Sequence, residues 1–167
     1  MNDCNSNNLL DAVRAGNREL TRCLVENGAN VNMACEPGSV LSLALFHGWF
    51  DIAKYLIENG ALVTCEAFRW PILRGNRRIV RYLLDHEGDP NSRDIAGMTP
   101  LMLSCLCERN GVEIASMLLR AGADPNLKDG NGLSSIDHAK KRACGEHSAR
   151  REIARLIVGF NKNMKFP

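Results

Sequence analysis

The chain has 167 residues, of which 45% are hydrophobic and 24% are charged. This length and apolar content are enough to bury one continuous core. The formal net charge of +2 gives no support for nucleic-acid binding, which normally needs a concentrated basic patch, and no apolar run approaches the roughly 18 residues that span a bilayer.

The cysteine content and the first residues both favour a location inside the cell. The seven cysteines are odd in number and scattered along the sequence, which favours reduced thiols over a disulfide framework. Residues 1–8 lack the charged and apolar layout of a signal peptide. We therefore expect a cytoplasmic protein, with the nucleus as a further location, and neither a membrane nor a nucleic acid as partner.

One short pattern occurs four times and defines a repeat. It is clearest as Leu-Leu-Arg-Ala-Gly-Ala-Asp-Pro-Asn at 118–126 and recurs, with substitutions, at 24–32, 56–64 and 83–91. A period of about 33 residues is typical of a solenoid, in which each unit buries its apolar face against its neighbours. The Gly of the pattern, at Gly28, Gly60 and Gly122, suits the left-handed residue that follows a helix.

A second pattern precedes the first and predicts the start of a helix. In Thr99-Pro100-Leu101 the Thr suits the N-cap, and the Pro suits the first helical position because its missing N–H would have no partner there. Each repeat is therefore predicted to contain two short helices joined by a turn.

Together these residues resemble ankyrin repeats. The resemblance rests on Thr99–Leu101, on the ending Gly122–Asn126, and on the Gly between the two helices at Gly16, Gly48 and Gly75. It extends over Asn7–Ile157, nearly the whole chain. It implies an all-α ankyrin-repeat solenoid of paired antiparallel helices joined by short β-hairpin fingers, with a concave face that binds other proteins.

Five repeats can be followed in register. We predict a polar leader at 1–6, a single domain at 7–160 with repeats at 7–32, 33–64, 65–91, 92–126 and 127–160, and a tail at 161–167. The inner helices alternate large apolar and small residues at helical spacing, namely Leu9, Leu41, Phe68, Leu101 and Ile136 with Ala12, Ala44, Pro71, Ser104 and Ala139. The outer helices carry apolar pairs at i, i+4, namely Leu20/Leu24, Ile52/Leu56, Ile79/Leu83, Ile114/Leu118 and Ile153/Ile157.

In repeat 2 the turn between the helices holds Trp49 and Phe50, where repeats 1 and 3 have Asn-Arg. Two aromatic residues in a turn indicate either an exposed partner contact or rings packed on the adjoining repeat. The sequence leaves both interpretations open.

Repeat 3 is the predicted irregular segment. Only Cys65–Ala67 separate Thr64 from Phe68, against eight or nine residues at the other junctions, so its finger is missing or vestigial. Pro71 lies about a turn inside the inner helix, where it can cost about 3 kcal/mol unless the helix starts late. Glu87 replaces the left-handed Gly, and Gly88 is expected to take over its turn. These departures indicate either a functional site or plain drift.

Repeat 4 departs differently. It carries two extra residues around Glu108–Gly111, which lengthen its first helix or its turn.

The predicted partner-binding residues lie at or beside the exposed ends of the inner helices. They form a mostly basic stripe with aromatic residues, which suits an acidic or phosphorylated peptide; a solvated charged face is the alternative. The residues are Arg14, Phe46, His47, Trp49, Arg69, Trp70, Arg74, Arg109, Lys141 and Arg142, with Phe46, Arg69, Trp70 and Arg74 at the centre.

No pattern indicates an enzyme, a cofactor or a metal site. The four histidines are scattered and no Gly-rich phosphate loop occurs. Asp137 and His138 are adjacent, but neighbours on a helix point about 100° apart and form no catalytic pair. Cys105 and Cys107 have no second pair at ligand spacing and are interpreted as helix packing.

The sequence thus predicts a monomeric protein–protein interaction module, acting as an adaptor or recognition domain for a protein or peptide ligand. The alternative is a stand-alone inhibitor or regulator of a signalling protein such as a kinase or a transcription factor.

Overall fold

The computed structural model describes the backbone of residues 2–35, 38–107, 109–141 and 148–163, and the side chains of 8–35, 38–107, 109–140 and 151–160. The chain forms two compact bodies, an N-terminal body up to Trp70 and a C-terminal body from Pro71 onward. Within the described residues the structure is mainly helical, as predicted. The boundaries of the leader, the domain, the repeats and the tail remain predictions.

The N-terminal body contains two helix pairs. Helix α1 packs against α2 and α3, while α4 packs against α2 and α3. Strands β1 and β2 form a short antiparallel hairpin before α3, in the place of the first predicted finger. The elements are α1 (Asn2–Arg14), α2 (Arg18–Glu26), β1 (Ala34–Cys35), β2 (Gly38–Ser39), α3 (Val40–His47), α4 (Phe50–Glu58) and α5 (Cys65–Leu73), of which α5 continues into the C-terminal body.

The C-terminal body is built around α8, which packs against α6, α7 and α10, while α9 packs against α7 and α10. Thr99 caps α7 through its Oγ1, which accepts from the Met102 N–H at 3.3 Å, and Pro100 is the first helical residue, as predicted. The helices are α6 (Arg77–Asp85), α7 (Pro100–Ser104), α8 (Gly111–Arg120), α9 (Ser135–Lys141) and α10 (Ser148–Asn163).

Two loops of the C-terminal body take the place of hairpin fingers. The Asp94 carboxylate accepts hydrogen bonds from the Ala96 and Met98 N–H groups at 2.9 and 2.8 Å. Asp129 holds the next loop in the same way, and the Gly130 N–H donates to the Ala96 carbonyl at 2.8 Å. The side chains of these aspartates therefore supply the hydrogen bonds that a longer strand ladder would provide.

The predicted core register is confirmed at most positions, but Leu20 of an outer helix is exposed and Ile136 of the last inner helix is only partly buried. Leu9, Leu41, Phe68 and Leu101 are at most 1% exposed, and the small residues that follow each of them are also buried. Leu20, however, is 44% exposed, and Thr21 is buried beside Leu24 in its place. The expectation for Leu20 was wrong because no described element covers the side of α2 on which it lies.

The junction before repeat 3 lacks a finger, as the spacing predicts. Residues 61–64 run directly from α4 to α5 without a strand. Helix α5 begins at Cys65 and continues through the buried Pro71, so it does not start late. In repeat 4 the first helix is not lengthened, because α7 ends at Ser104 and α8 begins only at Gly111. Of the residues predicted to be extra, Glu108 lies outside the described residues.

Glu87 itself takes the left-handed conformation that follows α6, with φ of 59°, whereas Gly88 has no positive φ. The expectation that Gly88 would take over this turn was therefore wrong. The Gly88 N–H instead donates to the Leu83 carbonyl at 3.0 Å and so ties the turn back to α6. A side chain at positive φ carries a steric cost that Gly avoids.

We predict that Glu87→Gly raises the free energy of unfolding by up to about 1 kcal/mol, because it removes this steric cost. Urea unfolding followed by circular dichroism measures the change. The control is Glu19→Gly in α2, an exposed helical position where Gly should lower stability by a similar amount. Equal destabilisation by both substitutions would contradict the prediction.

Asparagine side chains join successive repeats at two junctions. The Asn32 amide donates to the Gly60 carbonyl at 2.9 Å and accepts from the Leu62 N–H at 2.8 Å. Asn91 repeats the pattern with the Gly122 carbonyl at 2.9 Å and the Asp124 N–H at 2.7 Å. Each amide forms hydrogen bonds with two backbone groups that follow the outer helix of the next repeat. Repeat 1 is thereby fixed to repeat 2, and repeat 3 to repeat 4.

We predict that Asn91→Ala lowers the free energy of unfolding by about 1–3 kcal/mol, because both backbone groups lose their partner. Urea unfolding measures the loss. The matched control is Asn131→Ala, whose side chain makes no hydrogen bond within the described part of the chain and which should cost less. Similar losses for both variants would argue against a bridging role of Asn91.

Candidate functional site

An exposed aromatic cluster lies at the end of α3 in the N-terminal body. Residues Val40–Leu45 are all buried, so the first side chains of α3 to reach the surface are Phe46 and His47. The Phe46 ring makes edge contacts with His47 and with Trp70 of α5, at centroid distances of 5.0 and 4.8 Å. Phe46 is 36% exposed. Two inner helices thus present one aromatic surface to solvent.

Two exposed arginines lie on inner helices of the N-terminal body, Arg69 within α5 and Arg14 at the end of α1. Arg69 is adjacent to Trp70 on the same helix. The ion pair of Arg14 with Asp11, at 3.3 Å, is solvent-exposed and adds little stability. Burial raises the pKa of the Cys35 thiol, and the charge of Arg14 opposes this rise, which places Arg14 near the first finger.

Trp49 packs on the turn of repeat 1. A Cβ atom added at Gly16 would lie 2.6 Å from Cε2 of Trp49, so the ring covers this Gly directly. The side chain remains 42% exposed. Of the two interpretations left open by the sequence, the packing contact is present, and part of the ring also faces solvent.

In the C-terminal body two basic residues lie on turns that touch each other. Arg74 and Arg109 are both exposed. Their turns are joined because the Asn110 amide donates to the Gly75 carbonyl at 2.8 Å. Gly75 must be a glycine, since a Cβ there would overlap the Arg109 carbonyl and its φ is 66°. Lys141 ends α9, but its side chain and the whole of Arg142 lie outside the described residues.

The predicted site residues therefore fall into two groups. Phe46 contacts both His47 and Trp70 in the N-terminal body, which also holds Arg14, Trp49 and Arg69. The C-terminal body holds Arg74, Arg109, Lys141 and Arg142. Their common role in binding remains a proposal.

The sequence analysis missed three exposed apolar residues, Leu62, Val158 and Ile95, of which Ile95 is the most exposed. Ile95 is 103% exposed at the tip of the loop that Asp94 holds. The signal was present in the sequence as Asp-Ile-Ala-Gly. In such a segment the Asp side chain accepts from the N–H two residues later and the Gly closes a tight turn, so the second residue points outward. Burial gives no reason for an isoleucine at this position.

His138 pairs with Asp129 and not with the neighbouring Asp137. Its Nε2 lies 2.8 Å from Oδ2 of Asp129, whose other oxygen accepts from the Asn131 and Leu133 N–H groups. Asp137 instead accepts from the Ser134 N–H and hydroxyl at 2.9 and 2.6 Å, at the start of α9. These contacts hold a loop and a helix end, and they form no nucleophile–base arrangement.

The hydrogen bonds to Asp129 make this loop sensitive to acid. The Leu133 N–H is the largest cause that lowers the pKa of Asp129, followed by His138 and the Asn131 N–H. A lowered pKa in the folded state contributes stability above the ordinary carboxyl pKa, and this contribution is lost as the pH falls through the folded-state value.

We predict that the stability difference between wild type and Asp129→Asn is largest at neutral pH and shrinks below about pH 4, where the unfolded carboxyl becomes protonated. Urea unfolding of both proteins across this pH range measures the difference. The control is the same substitution at Asp51, which is exposed and forms only a long ion pair of 3.9 Å with Arg18. A difference for Asp129→Asn that does not change with pH would contradict the prediction.

The cysteines fit packing roles in the part of the chain that the structure describes. Cys65, Cys105 and Cys107 are buried. The Cys105 thiol donates to the Leu101 and Ser135 carbonyls at 3.4 and 3.3 Å. Among the described residues no group of three or more His, Cys, Asp or Glu side chains is arranged to hold a metal ion, and no helix is long and apolar enough to cross a membrane.

Comparison with known proteins matches the architecture. Residues 67–129 match the family model for ankyrin repeats (3 copies). The chain is 32% identical over 145 residues to an ankyrin repeat-containing protein of Treponema pallidum, covering 82% of this chain and 48% of that protein. It is 26% identical over 121 residues to an ankyrin repeat protein of Rickettsia felis, covering 72% and 44%. The chain thus spans less than half the length of these relatives.

Proposed function

This chain belongs to the ankyrin-repeat family, and from that premise we propose that it binds an acidic or phosphorylated protein segment through the exposed ends of its inner helices. Ankyrin repeats generally serve protein–protein interaction, and the contacts of these helix ends support the finer proposal. The proposed partner-binding residues are Arg14, Phe46, His47, Trp49, Arg69, Trp70, Arg74, Arg109, Lys141 and Arg142.

The observation that carries the proposal is the aromatic cluster of Phe46, His47 and Trp70. Folding alone would favour burial of such rings, yet Phe46 remains 36% exposed at the surface of two packed helices. Aromatic and Arg side chains are the residues that contribute most binding energy at protein interfaces. The rings are already held in contact with each other. Their side chains would therefore lose little conformational entropy when a partner binds to them.

Arg69 gives this cluster its proposed selectivity for negative charge. It is exposed beside Trp70 on α5, and a guanidinium can pair with a carboxylate or a phosphate through two parallel hydrogen bonds. A partner segment that carries an acidic or phosphorylated residue next to an apolar one would match both parts of the surface. The partner would thereby be selected by charge and by shape together.

Ile95 is a proposed contact in the C-terminal body. Its loop is fixed by the two hydrogen bonds to Asp94, so the exposed side chain is presented in one position. An apolar residue in a fixed, fully exposed position suits a partner contact better than a solvent-facing one. Burial of Ile95 by the partner would extend the interface beyond the inner-helix ends.

We assign the chain a non-enzymatic role as an adaptor or recognition domain in the cytoplasm or nucleus. The odd number and the scatter of the seven cysteines favour reduced thiols and so support a reducing compartment.

The proposal predicts that Phe46→Ala combined with Arg69→Glu weakens capture of the physiological partner from its native cells at least about tenfold, because an aromatic hot spot and a charge contact are both lost. Quantitative affinity pull-down measures the loss. The matched control is Leu20→Ala combined with Arg18→Glu on α2, where an equally exposed apolar residue and an exposed arginine change together.

Melting curves of both double variants establish that they remain folded. Capture that is unchanged by the Phe46 and Arg69 substitutions, or reduced equally by the control, would refute the proposed site.

A further inference from the structure

A groove in the C-terminal body is separate from the surface described above. It lies between the outer helices α6 and α8 and has a volume of about 560 Å³. This is within the range of roughly 300–1,000 Å³ that is usual for ligand sites. Leu156 of α10 contributes to its lining. None of the residues assigned above to partner binding lies in it.

The groove is strongly basic. Arg77, Arg78 and Arg81 come from α6 and Arg120 from α8, whereas Glu113 is the one acidic residue among its lining side chains. The pair Arg77–Glu113 is long, at 4.0 Å, and half exposed. Within the described part of the chain the other three arginines form no ion pair. The described residues therefore leave the positive charge of Arg78, Arg81 and Arg120 without an ion-pair partner.

The position of these arginines on α6 is unfavourable for folding. Helices α2, α4 and α8 each carry an acidic residue in the first turn, which complements the positive end of the helix dipole. Helix α6 carries none there and begins with Arg77 and Arg78. The N-terminus of a helix carries a partial positive charge, so arginines placed there destabilise the helix. A negatively charged ligand bound to these arginines would reverse that effect.

The floor of the groove decides which kind of anion fits. Val112, Met117 and Leu156 line it and are only partly covered by the protein. A free phosphate ion would pair with the arginines but would leave these apolar side chains exposed to water. An acidic peptide that also carries an apolar side chain would cover both.

We propose that the groove between α6 and α8 is a second binding site, which takes an acidic peptide segment and inserts one of its apolar side chains between the two helices. The carboxylates pair with Arg78, Arg81 and Arg120, and the inserted side chain packs on Met117 and Leu156. Two peptide segments could then bind the chain at once, one at the inner-helix ends and one at the outer helices.

The test uses a fluorescein-labelled peptide of glutamates with one central leucine, titrated with the whole chain and followed by fluorescence anisotropy. Because the inner-helix ends are proposed to take the same kind of segment, every protein compared also carries Phe46→Ala and Arg69→Glu. Arg81→Glu combined with Arg120→Glu should weaken binding about tenfold or more, because attraction becomes repulsion. Replacement by Gln at the same two positions should give a smaller loss. The matched control is Arg18→Glu, which begins α2 as Arg77 begins α6 and should bind the peptide almost as the protein with Arg18 does.

Three comparisons decide among the possible ligands. Serine in place of the central leucine should weaken binding clearly, whereas equal binding would overturn the insertion of an apolar side chain. Inorganic phosphate at millimolar concentration and vesicles of anionic lipid should not displace the peptide; displacement by either would assign the groove to a different ligand. A lack of saturable peptide binding, or an equal loss in Arg18→Glu, would also overturn the proposal.

Discussion

Close packing of small residues between inner helices is the constraint on which the rest of the structure depends. Ala12, Ala44 and Ala139 are at most 2% exposed, and the first two lie one helical turn after the buried Leu9 and Leu41. Helices that carry small residues at the contact can approach closely, while the large residues fill the space beside them. The side chains at the ends of these helices are thereby pushed to the surface, which is why Phe46 and His47 are exposed directly after a fully buried run.

The sequence predicts those features that depend on local chemistry. The left-handed glycines, the Thr99 cap with Pro100, the finger missing before α5 and most of the buried register follow from residues close together in the chain. Leu20 and Glu87 could not be placed correctly in this way, because exposure of the first depends on which elements cover α2, and the second adopts a conformation that its residue type disfavours.

The candidate surfaces are harder to predict from the sequence, because each combines residues of different helices. The contact of Phe46 with Trp70 joins two helices, and the basic groove joins α6, α8 and α10. The arginines of α6 are visible in the sequence, but Arg120 and Leu156 become their neighbours only in the folded chain. A formal net charge of +2 conceals this concentration, since charges elsewhere cancel in the sum but not in the local potential.

The asparagine bridges have a consequence for how such a chain can change over evolutionary time. The side chains of Asn32 and Asn91 form these hydrogen bonds only with backbone atoms of the following repeat, a carbonyl and an N–H in each case. Every residue type except proline supplies the N–H and every type supplies the carbonyl. Leu62 and Asp124, which supply the N–H groups, can therefore change type without losing these bonds, whereas Gly60 and Gly122 have φ of 86° and 93°, which favours glycine. New surface chemistry can arise at the first two positions while the architecture stays the same.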